Sequence, residues 1–257
     1  MPYEYDGVQY PSVTTITGML DKPALLGWAA RMACDYVRDN FDKACDPTDN
    51  HALDDVLEGA RKAHTERRDS AADAGKLCHK AIELLIGGNV LAAVETIEGN
   101  DEATKGYEAF LDWTEANDVE MLESECQVFS LFHGYAGRFD VVAKVNGVKY
   151  LIDFKTSSGV YDEMRYQLCA YRQAYNEGLK EGQEPIDKIA VLHLDKKDGS
   201  YTWHEMSKDM ERYTELFNTL TRAYYLMKNR RLKNNPFVKA VKEIGKPIEI
   251  KLEGSPF

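Results

Sequence analysis

Apolar positions recur with two different periods along this chain, and the change of period falls near residue 118. Before it, most spacing is helical. Leu25, Trp28, Met32 and Val37 recur every three to five positions within Ala24 to Phe41. Ala52 to Gly87 is alanine-rich and reads as mostly helix, with a break expected near Arg68 to Ser70 and a stop at Gly87-Gly88-Asn89. Glu102 to Asn117 carries Tyr107, Phe110, Leu111 and Trp113 on one side of a further helix. Ahead of these, Tyr3 to Tyr10 reads as a short hairpin around Asp6-Gly7. Pro11-Ser12-Val13 leads into a helix that Lys22-Pro23 interrupts, and Asp42 to Asn50 reads as a loop.

After residue 118 the period shortens. Val119 to Leu131 and Tyr135 to Val145 each read as a strand. Asn146-Gly147 is a strong two-residue turn signal, and Val148 to Lys155 completes that hairpin. Asp162 to Lys180 returns to helical spacing, with Met164, Leu168, Tyr171, Tyr175 and Leu179 in one stripe. Lys188 to Asp195 and Ser200 to Met206 form another hairpin around Asp198-Gly199. Ser207 is the expected N-cap of a last helix running to about Arg230, with Asp209 and Glu211 at its positive end. The order predicts an α/β layered domain, a mixed central sheet flanked by helices, behind a helical N-terminal elaboration. Residues 1–257 are read as a single domain, mainly helical over 1–118 and α/β over 119–257, because no linker, low-complexity tract or internal repeat divides them.

Composition narrows the setting. The chain is 44% hydrophobic and 29% charged, with both signs mixed, as in a folded soluble protein. No apolar run approaches the ~20 residues needed to span a bilayer. Met1-Pro2-Tyr3-Glu4-Tyr5-Asp6 has no basic n-region or apolar core, so a cleaved secretory signal is not expected. Cys34, Cys45, Cys78, Cys126 and Cys169 are odd in number and scattered, without CxxC spacing. They read as free thiols in a reducing cytoplasm, with Cys78 and Cys169 as helix packing residues. The net charge of −11 argues against nonspecific adhesion to nucleic acid, although the local field decides. Two basic groups stand out: Arg61, Lys62, Arg67 and Arg68, and Lys228, Arg230, Arg231, Lys233, Lys239 and Lys242. Each reads either as a solvated helix face or as a phosphate-tracking surface.

The candidate chemistry centres on the first hairpin. Asp153 and Lys155, two apart on a strand, share a face, and Phe154 points into the opposite layer. With the strand carrying Asp140 alongside, two carboxylates and an ammonium converge at one edge of a sheet. A divalent cation bound through oxygen resolves the repulsion between the two acids. His79 and Glu83 stand four apart on a helix, as do Gln167 and Tyr171, so each pair shares a face. Taken singly, each has an ordinary reading: a structural histidine, a surface ion pair, a core tyrosine and a solvated glutamine.

In order and spacing, His79, Gly137-x-x-Asp140, Asp153-x-Lys155 and Gln167-x-x-x-Tyr171 together resemble the RecB-like branch of the PD-(D/E)xK nuclease superfamily. Gly134 to Tyr171 carries most of the match and Gly75 to Glu83 the helix motif. Pro11-Ser12-Val13-Thr14-Thr15-Ile16, Lys22-Pro23-Ala24-Leu25 and Trp28-Ala29-Ala30 resemble phage-encoded exonucleases of the branch, which also includes mitochondrial genome maintenance exonucleases. Arg138-Phe139-Asp140 stands where the superfamily's proline-aspartate would be. The resemblance implies a restriction-endonuclease-like core and a metal-dependent DNA exonuclease acting in phage recombination, replication or DNA turnover. It implies that Asp140, Asp153, His79 and the Phe154 carbonyl hold Mg²⁺ or Mn²⁺. Lys155 would orient the attacking water and steady charge on the phosphate, while Gln167 and Tyr171 would shape the site and touch the DNA backbone. Glu125 would stand in an outer shell. The implied partners are DNA with free ends and a recombination or single-strand-binding protein, in the cytoplasm and without a membrane. Branch members with an iron–sulfur cluster use three cysteines near the C-terminus. No cysteine follows Cys169, so no such cluster is expected. No Walker A motif occurs. Two other readings stay open: a non-catalytic DNA- or partner-binding module on the same fold, and a related endonuclease. With Lys155 at a sheet edge, Lys155→Ala is expected to abolish cleavage and leave folding intact.

Overall fold

A computed structural model describes residues 2–45, 48–228 and 235–237. Strands β1 (Tyr3–Tyr5) and β2 (Val8–Tyr10) form the expected hairpin, with Asp6 and Gly7 both at positive φ. Helix α1 (Val13–Thr17) starts where the Ser12 hydroxyl accepts from the Thr15 N–H at 2.9 Å. It ends at Gly18, well before Lys22-Pro23. Pro23 opens α2 (Pro23–Asp39) rather than interrupting a helix, because the first turn has no use for the N–H that proline lacks. Helix α3 (Phe41–Ala44) falls partly within the stretch expected to be loop.

Helix α4 (Ala52–Ile86) runs 35 residues without the break expected near Arg68 to Ser70. Asp69 and Ser70 are exposed, and Ala71 and Ala72 after them are strong helix formers. Two asparagines then start helices the same way. Asn89 caps α5 (Val90–Ile97), a helix that the spacing of apolar residues does not signal, and Asn100 caps α6 (Asp101–Ala116).

The strand region is more broken than its composition indicates. Val119 to Leu131 divides into β3 (Val119–Ser124) and β4 (Gln127–Ser130), and Tyr135 to Val145 divides into β5 (Tyr135–Arg138) and β6 (Val141–Val145). The register is the same on both sides of the divide, with Ser124 opposite Val141 and Gln127 opposite Arg138. One antiparallel ladder therefore bends at Glu125, whose φ is +52°, and at Phe139-Asp140. Beyond it come β7 (Val148–Lys155), α7 (Asp162–Glu177), β8 (Lys188–Leu194), β9 (Tyr201–Glu205) and α8 (Met210–Lys228). The main sheet has the order β3-β6-β7-β8-β9. It is antiparallel except for the β7–β8 pair, whose parallel connection runs through α7.

Both faces of this sheet are covered, which explains why its strands are almost continuously apolar. Val142, Leu151, Ile189 and Val191 face Leu168 and Tyr171 of α7 and Phe217 and Tyr225 of α8. Val141, Ile152, Phe154 and Leu192 face Cys78 and Ile82 of α4, Ile97 of α5, and Phe110 and Trp113 of α6. The fold is mixed α/β, a mixed central sheet flanked by helices. Cys78 and Cys169 are buried, as expected of packing residues. Helix α2 buries none of its residues, so its apolar spacing serves only partial contact with α4. Ser207 is not a helix cap. Its hydroxyl accepts from the Ile189 N–H at 3.1 Å, and α8 starts three residues later. Of the second basic group, Arg230, Arg231, Lys233, Lys239 and Lys242 lie outside the described residues, as does the Lys228 side chain.

Candidate active site

The bend before β6 sets Asp140 beside the end of β7. Val141 pairs with Ile152, so the next step of the same register puts Asp140 opposite Asp153. The Phe154 N–H donates to Asp140 Oδ2 at 2.7 Å, and the Glu125 N–H donates to the Asp140 carbonyl at 2.8 Å. Asp140 is thus held from both flanking strands. Along β7, Phe154 turns into the helical layer and meets Phe110 at 5.3 Å between ring centroids. Asp153 and Lys155 take the opposite face and form a direct ion pair. This is the alternation expected, but not the location. β7 is the middle strand of five, and the charged groups gather at the ends of β6 and β7, not at a sheet edge. The opening comes from where the strands stop, because both of β7's long edges are paired.

His79 arrives from α4. Its Nδ1 lies 3.6 Å from Asp140 Oδ2, and its ring stands edge-on to Phe154 at 6.1 Å. Two glycines permit this approach. A Cβ on Gly75 would lie 2.7 Å from Thr156 Oγ1, just past Lys155, and one on Gly106 would lie 2.9 Å from Cys78 Sγ. Glu83, one turn beyond His79, bonds Lys80 at 2.9 Å. Glu125 bonds Arg138 at 2.8 Å.

Four ionisable groups now share a small, partly buried volume. Burial raises the Asp140 carboxyl, but His79, Lys155 and the Phe154 N–H outweigh it and hold the group below its ordinary value. Burial also raises the Asp153 carboxyl, and the charge of Asp140 adds to that against the pull of Lys155, so it sits above its ordinary value. Burial works against charge on Lys155 and on His79, yet both are raised. Asp153 and Asp140 favour the ammonium, and Asp140 favours the imidazolium. Glu125 is raised by burial first and by Asp140 second.

Two carboxylates and an imidazole are a donor set suited to Mg²⁺ or Mn²⁺. Asp153 Oδ2 is sealed from solvent and, beyond its ionic contact with Lys155, has no well-directed hydrogen bond. The residue types thus fit a divalent cation. Their side chains, however, turn toward the cluster's own cations. Among the described residues, no three His, Cys, Asp or Glu groups are arranged to hold a metal ion.

Gln167 and Tyr171 do share a face of α7, and the Gln167 amide donates to the Tyr171 hydroxyl at 3.0 Å. Tyr171 is only 3% exposed, its ring packed against Gly137. It shapes the wall behind Asp140 and has no surface with which to touch a DNA backbone. Burial, then the charge of Asp153, drives its hydroxyl far above the ordinary value.

Sequence reasoning misses two neighbours. Arg138 enters it only as a stand-in for proline, and the Glu125–Arg138 bond depends on the bend in the ladder. His193 pairs in register with Lys155, and its Nε2 lies 2.6 Å from the Ser157 carbonyl. Only the β7–β8 pairing brings it there. Among the described residues, no helix is long and apolar enough to cross a membrane.

A scan against protein-family models finds no match, and a search of curated proteins finds none. Among solved structures, the chain is similar to one titled "Crystal structure of SSO0001", at 15% identity and a TM-score of 0.27, over 57% of this chain and 74% of that one.

Proposed function

We propose that this protein is a metal-dependent deoxyribonuclease on a PD-(D/E)xK core, an exonuclease that hydrolyses phosphodiester bonds of linear DNA. The observation that carries the reading is the meeting of His79, Asp140, Asp153 and Lys155 at the ends of two adjacent strands, within one network of contacts. The setting proposed is the cytoplasm, in phage recombination, replication or DNA turnover, beside a recombination or single-strand-binding protein.

Asp140, Asp153, His79 and the Phe154 carbonyl would hold Mg²⁺ or Mn²⁺. When bound, the ion would neutralise the ester and make a coordinated water more acidic. The chain's own groups do the rest. Lys155, kept protonated by the two acids, donates to a phosphate oxygen or fixes the attacking water. The Phe154 N–H fixes the Asp140 carboxylate, and Tyr171 closes the wall behind it. Of Gln167 and Tyr171, Gln167 is the partly exposed one and contacts substrate.

End-labelled linear DNA, with either strand labelled, incubated across a series of divalent ions tests this directly. Shortening from an end, dependent on Mg²⁺ or Mn²⁺ and lost in Asp153→Asn, is the expected result. Cleavage of closed circular DNA would point to an endonuclease. DNA binding with no cleavage under any ion would point to a binding module.

A further inference from the structure

The unbroken α4 has a consequence for the first basic group. At ~3.6 residues per turn, Arg61 stands five full turns before His79, and Arg68 stands close to three turns before it. Both arginines therefore stand on the same line of the helix surface as His79, about 27 and 16 Å along the axis at ~1.5 Å per residue. Between Arg61 and His79 this face carries Thr65, Arg68, Ala72, Gly75 and Lys76, with no carboxylate, in a chain whose net charge is −11. Asp69 and Asp73 lie to its flank. Helix α2 runs along one border of this face, where Trp28 meets His64 at 6.3 Å and Arg61 lines the groove between the two helices, and its Tyr36 sits over Gly59. The Arg61 side chain is 79% exposed and that of Arg68 63%.

We infer that this face of α4 is a track for the phosphodiester backbone of DNA whose end lies in the site, with Arg61 and Arg68 as its phosphate-binding side chains. The inference rests on the nuclease reading and extends it from the reacting bond to the strand beyond. Charge and spacing fit a polyanion. The two positions stand about 10 Å apart along the helix axis, a span of a few phosphates of one strand. Ala72 is exposed and small, and the open face ends at Gly75, which is buried against Thr156 at the rim of the site. The present partners are exposed acids, Asp69 at 2.9 Å from Arg68 and Glu58 at 3.7 Å from Arg61, and Glu58 already holds Lys62 at 2.7 Å. Exposed pairs of this kind contribute little and exchange readily for phosphate.

The test is binding of a fluorescent DNA of roughly 30 nucleotides to metal-free protein between about 50 and 200 mM salt, for wild type, Arg61→Gln/Arg68→Gln and Lys62→Gln. Glutamine keeps helix propensity, and circular dichroism checks the fold. The double variant should lower the slope of log affinity against log salt by about 1.4 on single strands, ~0.7 for each phosphate no longer neutralised. Lys62, on the flank, should leave the slope unchanged. An unchanged slope in the double variant, an equal loss in Lys62→Gln, or no DNA binding by wild type would overturn the track. Metal-dependent cleavage by wild type is scored separately. Its absence, with the slope loss intact, would overturn the nuclease reading and keep the track as a DNA surface.

Discussion

The Phe154 backbone N–H donates to Asp140 Oδ2 at 2.7 Å, fastening the bend before β6 to the end of β7. One side chain thereby serves twice: it satisfies a buried backbone donor, and it faces the imidazole of His79. These duties separate by substitution. Asp140→Asn keeps an acceptor for Phe154 and removes the charge. It should lose about 100-fold or more in DNA cleavage, as loss of a key electrostatic group does, with a urea midpoint lowered only by the lost ionic contacts with His79 and Lys155. Asp140→Ala leaves the N–H unpaired, an effect of about 1–3 kcal/mol. Its midpoint should fall clearly below that of Asp140→Asn, and equal midpoints would remove the fastening role.

Lys155→Ala should disturb folding as well as cleavage, contrary to what a sheet-edge position implies. Asp153 is 3% exposed, and Lys155 is its counter-ion. Removing one member of a buried pair costs about 3–5 kcal/mol. Asp153 offsets part of this by taking a proton, toward which its raised carboxyl already leans. Lys155→Ala should therefore be inactive and less stable at neutral pH, regaining stability as pH falls. Lys155→Ala/Asp153→Asn should recover stability but not cleavage. Thermal unfolding across pH, run beside the nuclease assay, checks both.

Gly137 packs against the Tyr171 ring, and a methyl group there would press into the ring at its Cε1 edge. Gly137→Ala should destabilise by about 1–3 kcal/mol through overpacking. It should also reduce cleavage, because Asp140 follows three residues later. Combining it with Tyr171→Leu should restore part of the stability. A Gly137→Ala variant as stable and active as wild type would show that the wall is not set by this contact.

These residues also show what the sequence could and could not reveal. Strand alternation alone puts Asp153 and Lys155 on one side and Phe154 on the other. The turn at Asn146-Gly147 makes β6 and β7 neighbours, so Asp140 can be set beside them. The bend at Glu125 is not legible, since a non-glycine residue at φ +52° has no composition cue and both halves of the ladder look like good strand. With it goes the Glu125–Arg138 bond. Asp69-Ser70 looks like a break because those residues favour turns, but the alanines that follow keep α4 whole. The edge location fails for a different reason: local pattern identifies strands, whereas their order depends on the α7 crossover that brings β8 alongside β7. His193 beside Lys155 is hidden for the same reason.

The His79–Asp140 contact predicts a titration. His79 is raised above its ordinary value near 6.5 because Asp140 outweighs burial. A histidine raised on folding contributes stability that is fully present below about pH 6.5 and is lost as pH rises through the higher folded value. Asp140, depressed on folding, contributes in the opposite sense, with stability present above the ordinary carboxyl range and lost in acid. The contact is therefore strongest in mildly acidic solution. An imidazole NMR titration in EDTA should show His79 changing charge above 6.5, and in Asp140→Asn lower than in wild type. Saturating Mg²⁺ should pull the wild-type midpoint down, because a cation and a proton compete for the same nitrogen and the same carboxylates. A midpoint indifferent to Mg²⁺ would separate His79 from any metal this cluster holds, and a midpoint at or below 6.5 in EDTA would remove the ionic contact itself.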